Sequence, residues 1–252
     1  MTASVLDTAL ITGGAGGIGR ALAARLRARG VRVAITSRDA ARAAEVDADL
    51  HLAVDATTPE GIAQALAACR EAWGEAPARV AHCVGSTLIA PLHRSQPAQA
   101  REVLRVNLES AVHLLAAWVE ARRTVPGGGA AVLMSSVVAG IGVSNHEVIA
   151  AAKAGVEGLA RSVAATYAPQ SLRFNVVAPG LTETALSAGL TRQPEMRAAA
   201  ARQYPLPHAE GVQTADDVAA VIDWLLSPQA HRITGQVLPV DGGFTAIRPL
   251  VR

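Results

Sequence analysis

The sequence predicts an α/β protein built on one doubly wound parallel sheet of about seven strands, with helices on both faces. Three observations carry that prediction. Seven short apolar runs recur along the chain, stretches with a period near 3.6 separate them, and the runs do not alternate polar with apolar. Unalternating runs suit strands buried on both faces, and parallel strands need crossover connections of the kind the helical stretches supply. At 252 residues, half of them hydrophobic, the chain is long enough for one sizeable core, and 1–252 is expected to form a single domain.

The elements follow in order. TALIT (8–12) opens the sheet and runs straight into TGGAGGIGR, after which IGRALAARLRARG has the pattern of an amphipathic helix. VRVAIT (31–36) and LHLAV (50–54) are the second and third strands, and PEGIAQALAACREAWG is the helix that returns to RVAHCV (79–84). PGGG (126–129) stops a helix and turns the chain into AAVLMS (130–135). SNHEVIAAAKAG (144–155) starts an alanine-rich helix that leads to LRFNVVA (172–178), and QVLPV (236–240) closes the sheet. Residues 181–211 read less like sheet and are expected to form a substrate lid.

Composition narrows the partners. A formal charge of +2 with scattered arginines gives neither a nucleic-acid footprint nor a membrane patch, so a small-molecule substrate is expected. No run of about 18 apolar residues is present to span a bilayer. The first residues contain no basic n-region before the first strand, and with only two cysteines, Cys69 and Cys83, a reducing, cytoplasmic location is expected. The thiols read as buried and free. Seven dispersed histidines show no ligand spacing, so no metal is expected. Every basic residue but one is arginine, and the sole lysine is Lys153. A lone ammonium in an arginine-using chain marks a place where guanidinium does not substitute.

Gly13, Gly17 and Gly19, following a first strand and opening a helix, let the backbone approach a pyrophosphate and aim the helix N-terminus at it. At the end of the second strand Ser37 and Arg38 stand where an acidic residue would select NAD; a hydroxyl and a guanidinium suit a 2′-phosphate, which predicts NADP(H) as cofactor. The spacing TGxxxGxG, with Asp55, Asn107, Ser136, Lys153, PGLTET (179–184) and VDGG (240–243) in order, resembles the short-chain dehydrogenase/reductase family over nearly the whole chain. The resemblance implies a Rossmann-type domain, a homodimer or homotetramer, and a set of cofactor contacts. These are Gly13, Gly17, Ile18 and Gly19 at the pyrophosphate, Asp55 and Ala56 at adenine, Gly85 as a close backbone approach, Lys153 at the nicotinamide ribose, and Pro179, Gly180 and Thr184 near the carboxamide or the phosphates. The alanine- and glycine-rich helix at 150–168 suits close approach of subunits or tight packing on its own sheet. HCVG (82–85) replaces the family's NNAG, and His82 is read either as a ribose contact or as a structural histidine.

The family is understood to reduce carbonyls with an Asn–Ser–Tyr–Lys set, of which Asn107, Ser136 and Lys153 are matched here. The tyrosine is not, because Ile149 stands four residues before the lysine. His146, one turn earlier and expected to face the substrate cleft, is read as a substitute acid or as a helix-start residue shaping the pocket. Of the two tyrosines, Tyr167 lies too far along the same helix, and Tyr204 in the lid either swings in or packs on a ligand. Three functions remain open: a reductase with a substituted acid or a water on Ser136 relayed from Lys153, a reductase of conjugated C=C or imine bonds, and a nucleotide- or partner-binding protein without catalysis.

Overall fold

Seven parallel strands form one sheet in the order β3-β2-β1-β4-β5-β6-β7. They are β1 (Thr8–Thr12), β2 (Arg32–Ser37), β3 (Leu50–Ala53), β4 (Arg79–His82), β5 (Gly129–Met134), β6 (Leu172–Pro179) and β7 (Val237–Val240). This computed structural model describes residues 7–208 and 211–248. The helices are α1 (Gly17–Ala28), α2 (Ala40–Ala44), α3 (Pro59–Trp73), α4 (Pro97–Leu104), α5 (Ser110–Arg122), α6 (Glu147–Tyr167), α7 (Ala188–Thr191), α8 (Pro194–Ala201) and α9 (Ala215–Leu226). The chain runs outward from β1 to β3, then crosses back to place β4 on the other side of β1. That reversal opens a crevice beyond the carboxyl ends of β1 and β4, where open α/β sheets bind ligands.

Successive strand residues point to opposite faces, and each face has its own core. Ile11, Val33, Ile35 and Val132 pack with Leu22 and Leu26 of α1 and Ile222 and Leu225 of α9. Leu10, Val80, Leu133 and Phe174 pack with Ile62 of α3, Trp118 of α5 and Val156 of α6. The inner strands are buried along most of their length, as unalternating runs require, but β3 alternates half-buried with exposed residues because it is an edge strand. Local signals set the helix ends: Thr58 caps α3, Pro59 starts it, and Gly74 at φ 82° ends it.

Between α4 and α5 the helix does not break. It widens to a π-turn over Arg105–Glu109, which carries Asn107. Such turns concentrate at functional sites because the extra residue re-aims a side chain. The segment between β6 and α9 holds α7 and α8, and an ion pair between Glu183 and Arg197 joins its start to α8. The expected lid at 181–211 includes residues 209–210, which lie outside the described residues. Among the described residues no helix is long and apolar enough to cross a membrane.

Candidate active site

The glycine loop is built by steric exclusion. Gly13 has φ 71°, and a Cβ there would stand 2.9 Å from the Cys83 carbonyl carbon. At Gly19 a Cβ would stand 2.6 Å from the Gly13 carbonyl oxygen, so α1 begins hard against the loop. The Ile18 side chain turns into the core instead. No side chain caps the α1 N-terminus, and no acidic residue lies in its first turn. The first-turn amides of Gly17, Ile18 and Gly19 lack intrahelical partners and are available to an anion. The loop after β6 closes over this point, with the Thr184 methyl 3.0 Å from where a Cβ on Gly17 would be.

A cleft of about 480 Å³ extends from the glycine loop along the ends of β2, β3 and β4. Ser37, Arg38, Asp55, Ala56 and Gly85 all line it. The Ser37 hydroxyl is committed to its own turn, donating to the Asp39 carbonyl and accepting from the Asp39 N–H. The Arg38 guanidinium is exposed and has no hydrogen-bond partner among the described residues. Arg42, the third residue of α2, joins it at the cleft wall, its guanidinium donating to the Ala15 carbonyl at 3.3 Å. The sequence reading passed over Arg42, whose place follows from Asp39 capping the helix through the Arg42 N–H. Asp55 is held by the Thr57 N–H and hydroxyl at 2.9 and 2.7 Å, and Arg105 donates to the same hydroxyl. Burial works against the charged carboxylate, but those bonds, with Arg38 and Arg105, hold its pKa below the usual value. The Asp55-Ala56-Thr57 pattern is an Asx turn and was legible as one.

His82 is a structural residue, 2% exposed, and not a ribose contact. Ser110 donates its hydroxyl proton to the Val106 carbonyl at 2.6 Å, so toward His82 Nε2, 2.8 Å away, it accepts. That assigns the proton to Nε2 and makes Nδ1 the acceptor for the Thr12 hydroxyl at 2.7 Å. The resulting chain, Thr12 to His82 to Ser110 to Val106, joins the glycine loop to the π-turn. Burial first, and the Lys153 charge second, lower the imidazole pKa to about 3.

Asn107, Lys153 and Gly85 come together at the far end of the cleft. A Cβ on Gly85 would stand 3.2 Å from Asn107 Oδ1 and 3.7 Å from Lys153 Nζ. Asn107 donates to the Val103 carbonyl at 2.9 Å and to Ser86, and accepts the Ser86 N–H. Lys153 is buried and donates to the Met134 carbonyl at 2.8 Å. Burial lowers its pKa to about 8, opposed by the nearby Cys83. Cys83 is half-exposed and lines the cleft, whereas Cys69 is buried in the core; burial pushes both thiols up to about 12. Ser136, two residues beyond Met134, accepts from the Val138 N–H at 3.4 Å, and its own proton has no acceptor among the described residues.

Ile149 is 4% exposed and belongs to an apolar cluster with Val103, Val137, Val138 and Ala152, against which Phe244 packs. His146 occupies the cap position of α6, and its Nδ1 lies 2.8 Å from the Ser144 carbonyl, which makes that nitrogen the donor. No hydrogen bond joins it to Ser136, Asn107 or Lys153 among the described residues. Tyr167 packs on Phe174, away from these groups. Pro179 ends β6, and Gly180 donates to the Val240 carbonyl at 2.8 Å.

Residues 13–245 match the family model described as enoyl-(acyl carrier protein) reductase. The chain is 35% identical over 247 residues to cis-4-hydroxycyclohexanecarboxylate dehydrogenase of Sinomonas cyclohexanicum, covering 95% of this chain and 96% of that one. It is 33% identical over 241 residues to the 3-oxoacyl-(acyl-carrier-protein) reductase MabA of Mycobacterium tuberculosis, covering 95% and 93%. A short-chain type dehydrogenase/reductase from Mycobacterium ulcerans superposes with a TM-score of 0.87 at 30% identity, covering 94% of this chain and 89% of that chain. The chain belongs to the short-chain dehydrogenase/reductase family. These relatives are oxidoreductases, and short-chain dehydrogenases/reductases bind NAD(P).

For a short-chain dehydrogenase/reductase, the buried histidine at 82 carries a cost in acid. Its folded pKa, about 3, lies below the ordinary 6.5, so between those values the unfolded chain holds the extra proton and stability falls as pH falls. The slope is up to about 1.4 kcal/mol per pH unit. His82→Gln, which keeps a donor and an acceptor, is expected to flatten the dependence of unfolding free energy on pH between about 4 and 6, measured by urea denaturation.

Proposed function

We propose that this protein is an NADP(H)-dependent reductase of a small, partly apolar substrate, acting on a polarised bond whose reduction needs hydrogen bonding at an oxygen or nitrogen but no phenolic acid. The observation that carries this reading is Ile149, buried in an apolar cluster beside an otherwise equipped site. Isoleucine donates no proton. Conjugated C=C and imine bonds fit best: in the first the substrate oxygen takes up charge as an enolate, and in the second the nitrogen arrives protonated. Ordinary ketones fit less well because they need an acid in the transition state. The enoyl reductase description of the matching family model supports the C=C reading.

The glycine cradle fits a dinucleotide: it has no room for side chains, and the α1 amides lack caps. Gly13, Gly17, Ile18, Gly19 and Thr184 would hold the pyrophosphate, Arg38 with Arg42 the 2′-phosphate, Asp55 and Ala56 the adenine, and Lys153 the nicotinamide ribose. Gly85 would give close backbone approach, and Pro179 and Gly180 would flank the carboxamide. When bound, the cofactor supplies the reducing equivalent. The Ser136 hydroxyl, whose proton is unengaged, would hydrogen-bond to the substrate oxygen or nitrogen and stabilise the charge that develops on an enolate oxygen, and the enolate carbon would take its proton from solvent water. Asn107 keeps the loop after β4 in place through Ser86. His146, with its Nδ1 proton spent on Ser144, acts as an acid only when doubly protonated, which makes it the second choice for proton donor. The apolar cluster around Ile149 forms the substrate wall, and 181–211 acts as the lid. The exposed Ala151, Ala154 and Gly158 of α6 leave a small-residue face suited to a second subunit, as in a homodimer or homotetramer, and a cytoplasmic location agrees with the free thiols.

Titration with NADPH and NADH, followed by the fluorescence of the bound nicotinamide, tests the cofactor. NADPH is expected to bind at least about tenfold more tightly, and Arg38→Ala to remove most of that difference by deleting a charge-assisted contact. Equal affinity for both would overturn the NADP(H) reading. Lysine titrates in the same experiment: neither His82, near 3, nor Cys83, near 12, changes charge around pH 8, so NADPH affinity should fall as pH rises through about 8 when the Lys153 ammonium is lost. Lys153→Met should bind weakly and without that step.

Ile149→Tyr tests the reaction. Wild-type protein is expected to oxidise NADPH with enones or imines in preference to simple ketones, and the variant to gain about 10²- to 10⁴-fold on ketones. NADPH binding without turnover of any of the three substrate classes would leave the binding-protein reading in its place. His146→Ala is expected to retain enone turnover; its loss would make His146 the acid.

A further inference from the structure

Tyr204 follows α8 in the segment between β6 and α9, yet its side chain is built into the carboxyl end of the sheet. Its Oη accepts the Leu181 N–H at 2.6 Å. Its ring lies so close to Gly180 that an added Cβ would stand 2.9 Å from a ring carbon and 3.0 Å from the hydroxyl oxygen, so a side chain at 180 would have to displace the ring. The Phe244 ring lies 5.4 Å away at 38°. Two residues further on, the Leu206 N–H donates to the Gly242 carbonyl at 2.9 Å, so this stretch of backbone is anchored beside the ring. Burial raises the phenol pKa above its ordinary value, and the group stays protonated at neutral pH.

The loop that Tyr204 grips begins at Pro179, the end of β6, beside the strand that leads to Ser136. It ends at Thr184, which stands on Gly17 of the glycine loop. It therefore spans the site from the phosphate end to the reacting end. Phe244, against which Tyr204 packs, also packs on the cluster that contains Ile149. Among the described residues the hydroxyl oxygen accepts from Leu181 and is hydrogen-bonded to no group of the reacting set.

We infer that Tyr204 is a positioning residue that fixes the Gly180–Leu181 backbone for the nicotinamide end of the cofactor and couples the lid segment to that loop. The inference rests on the NADP(H) reading given above. Among the described residues, Asp55, Arg38, Arg42 and the glycine loop, which would hold the adenosine end, form no hydrogen bond or ring contact with Tyr204. Loss of the hydroxyl would leave the Leu181 N–H without its partner and loosen one end of the cofactor site only.

Tyr204→Phe separates the two ends. The dissociation constant for NADPH is measured by nicotinamide fluorescence, and that for adenosine 2′,5′-bisphosphate, which has the 2′-phosphate but no nicotinamide, by calorimetry. The NADPH constant is expected to rise about five- to tenfold, the effect of one lost hydrogen bond, while the bisphosphate constant stays within about twofold. Equal losses for both ligands would mean a general loss of structure and overturn the positioning role, as would no loss for either. Wild-type protein that binds neither ligand would overturn the cofactor reading itself, and the role of Tyr204 with it.

Discussion

The site depends on one buried hydrogen-bonded chain, from the Thr12 hydroxyl through the His82 ring and the Ser110 hydroxyl to the Val106 carbonyl. Thr12 ends β1 and leads into the glycine loop, His82 ends β4, and Ser110 follows the π-turn. The topological reversal of the sheet brings these three segments to one crevice, and the chain fixes their spacing there. Inside a protein, where competing water is absent, such bonds are strong and a missing partner is expensive. Ser110 commits its proton to the Val106 carbonyl, which leaves Nε2 protonated and Nδ1 to accept from Thr12, whose other acceptor, the Ala81 carbonyl, is farther away at 3.4 Å; the imidazole is held neutral. The ring does the work of a spacer with polar ends.

From that spacing the rest of the site follows. The π-turn presents Asn107 toward the loop after β4, where Ser86 takes both ends of its amide. Gly85 then lies against Asn107 and Lys153, where an added Cβ would press on the Asn107 amide oxygen at 3.2 Å. Lys153 is drawn into the end of β5 by the Met134 carbonyl and loses most of its hydration. An ammonium in that position is costly to bury, and its lowered pKa is the measure of that cost.

All seven strands were legible to within a residue or two, because burial on both faces makes apolar runs and helical periodicity separates them. The edge strands were not legible as edges: the sequence of β3 reads apolar, and only the sheet order exposes it. The glycine loop was accessible through its place between a first strand and a helix, and the grouping of Asn107 with Lys153 through the family resemblance. The Asx turn at Asp55 had a local signal as well. The partners of His82 had none, since they lie 70 and 28 residues away in sequence and meet only in the folded sheet. The π-turn also escaped, because its 105–109 sequence is ordinary helix and the widening is set by packing. Tyr204 read as a lid residue that swings in or packs on a ligand, and nothing in its sequence neighbours signals that its ring lies against Gly180.

The single lysine gives the molecule an unusual chemical exterior. Its positive charges are guanidinium groups, which resist acylation, and its one ε-amine is sunk at the reacting end of the crevice. Lysine-directed chemistry, whether acetylation, ubiquitin conjugation or an amine-reactive dye, therefore finds no surface side chain to modify. The side-chain amine that such reagents could reach only through the crevice is also the one that a bound nucleotide would shield. For this protein, amine labelling of side chains and occupation of the site compete for the same atom.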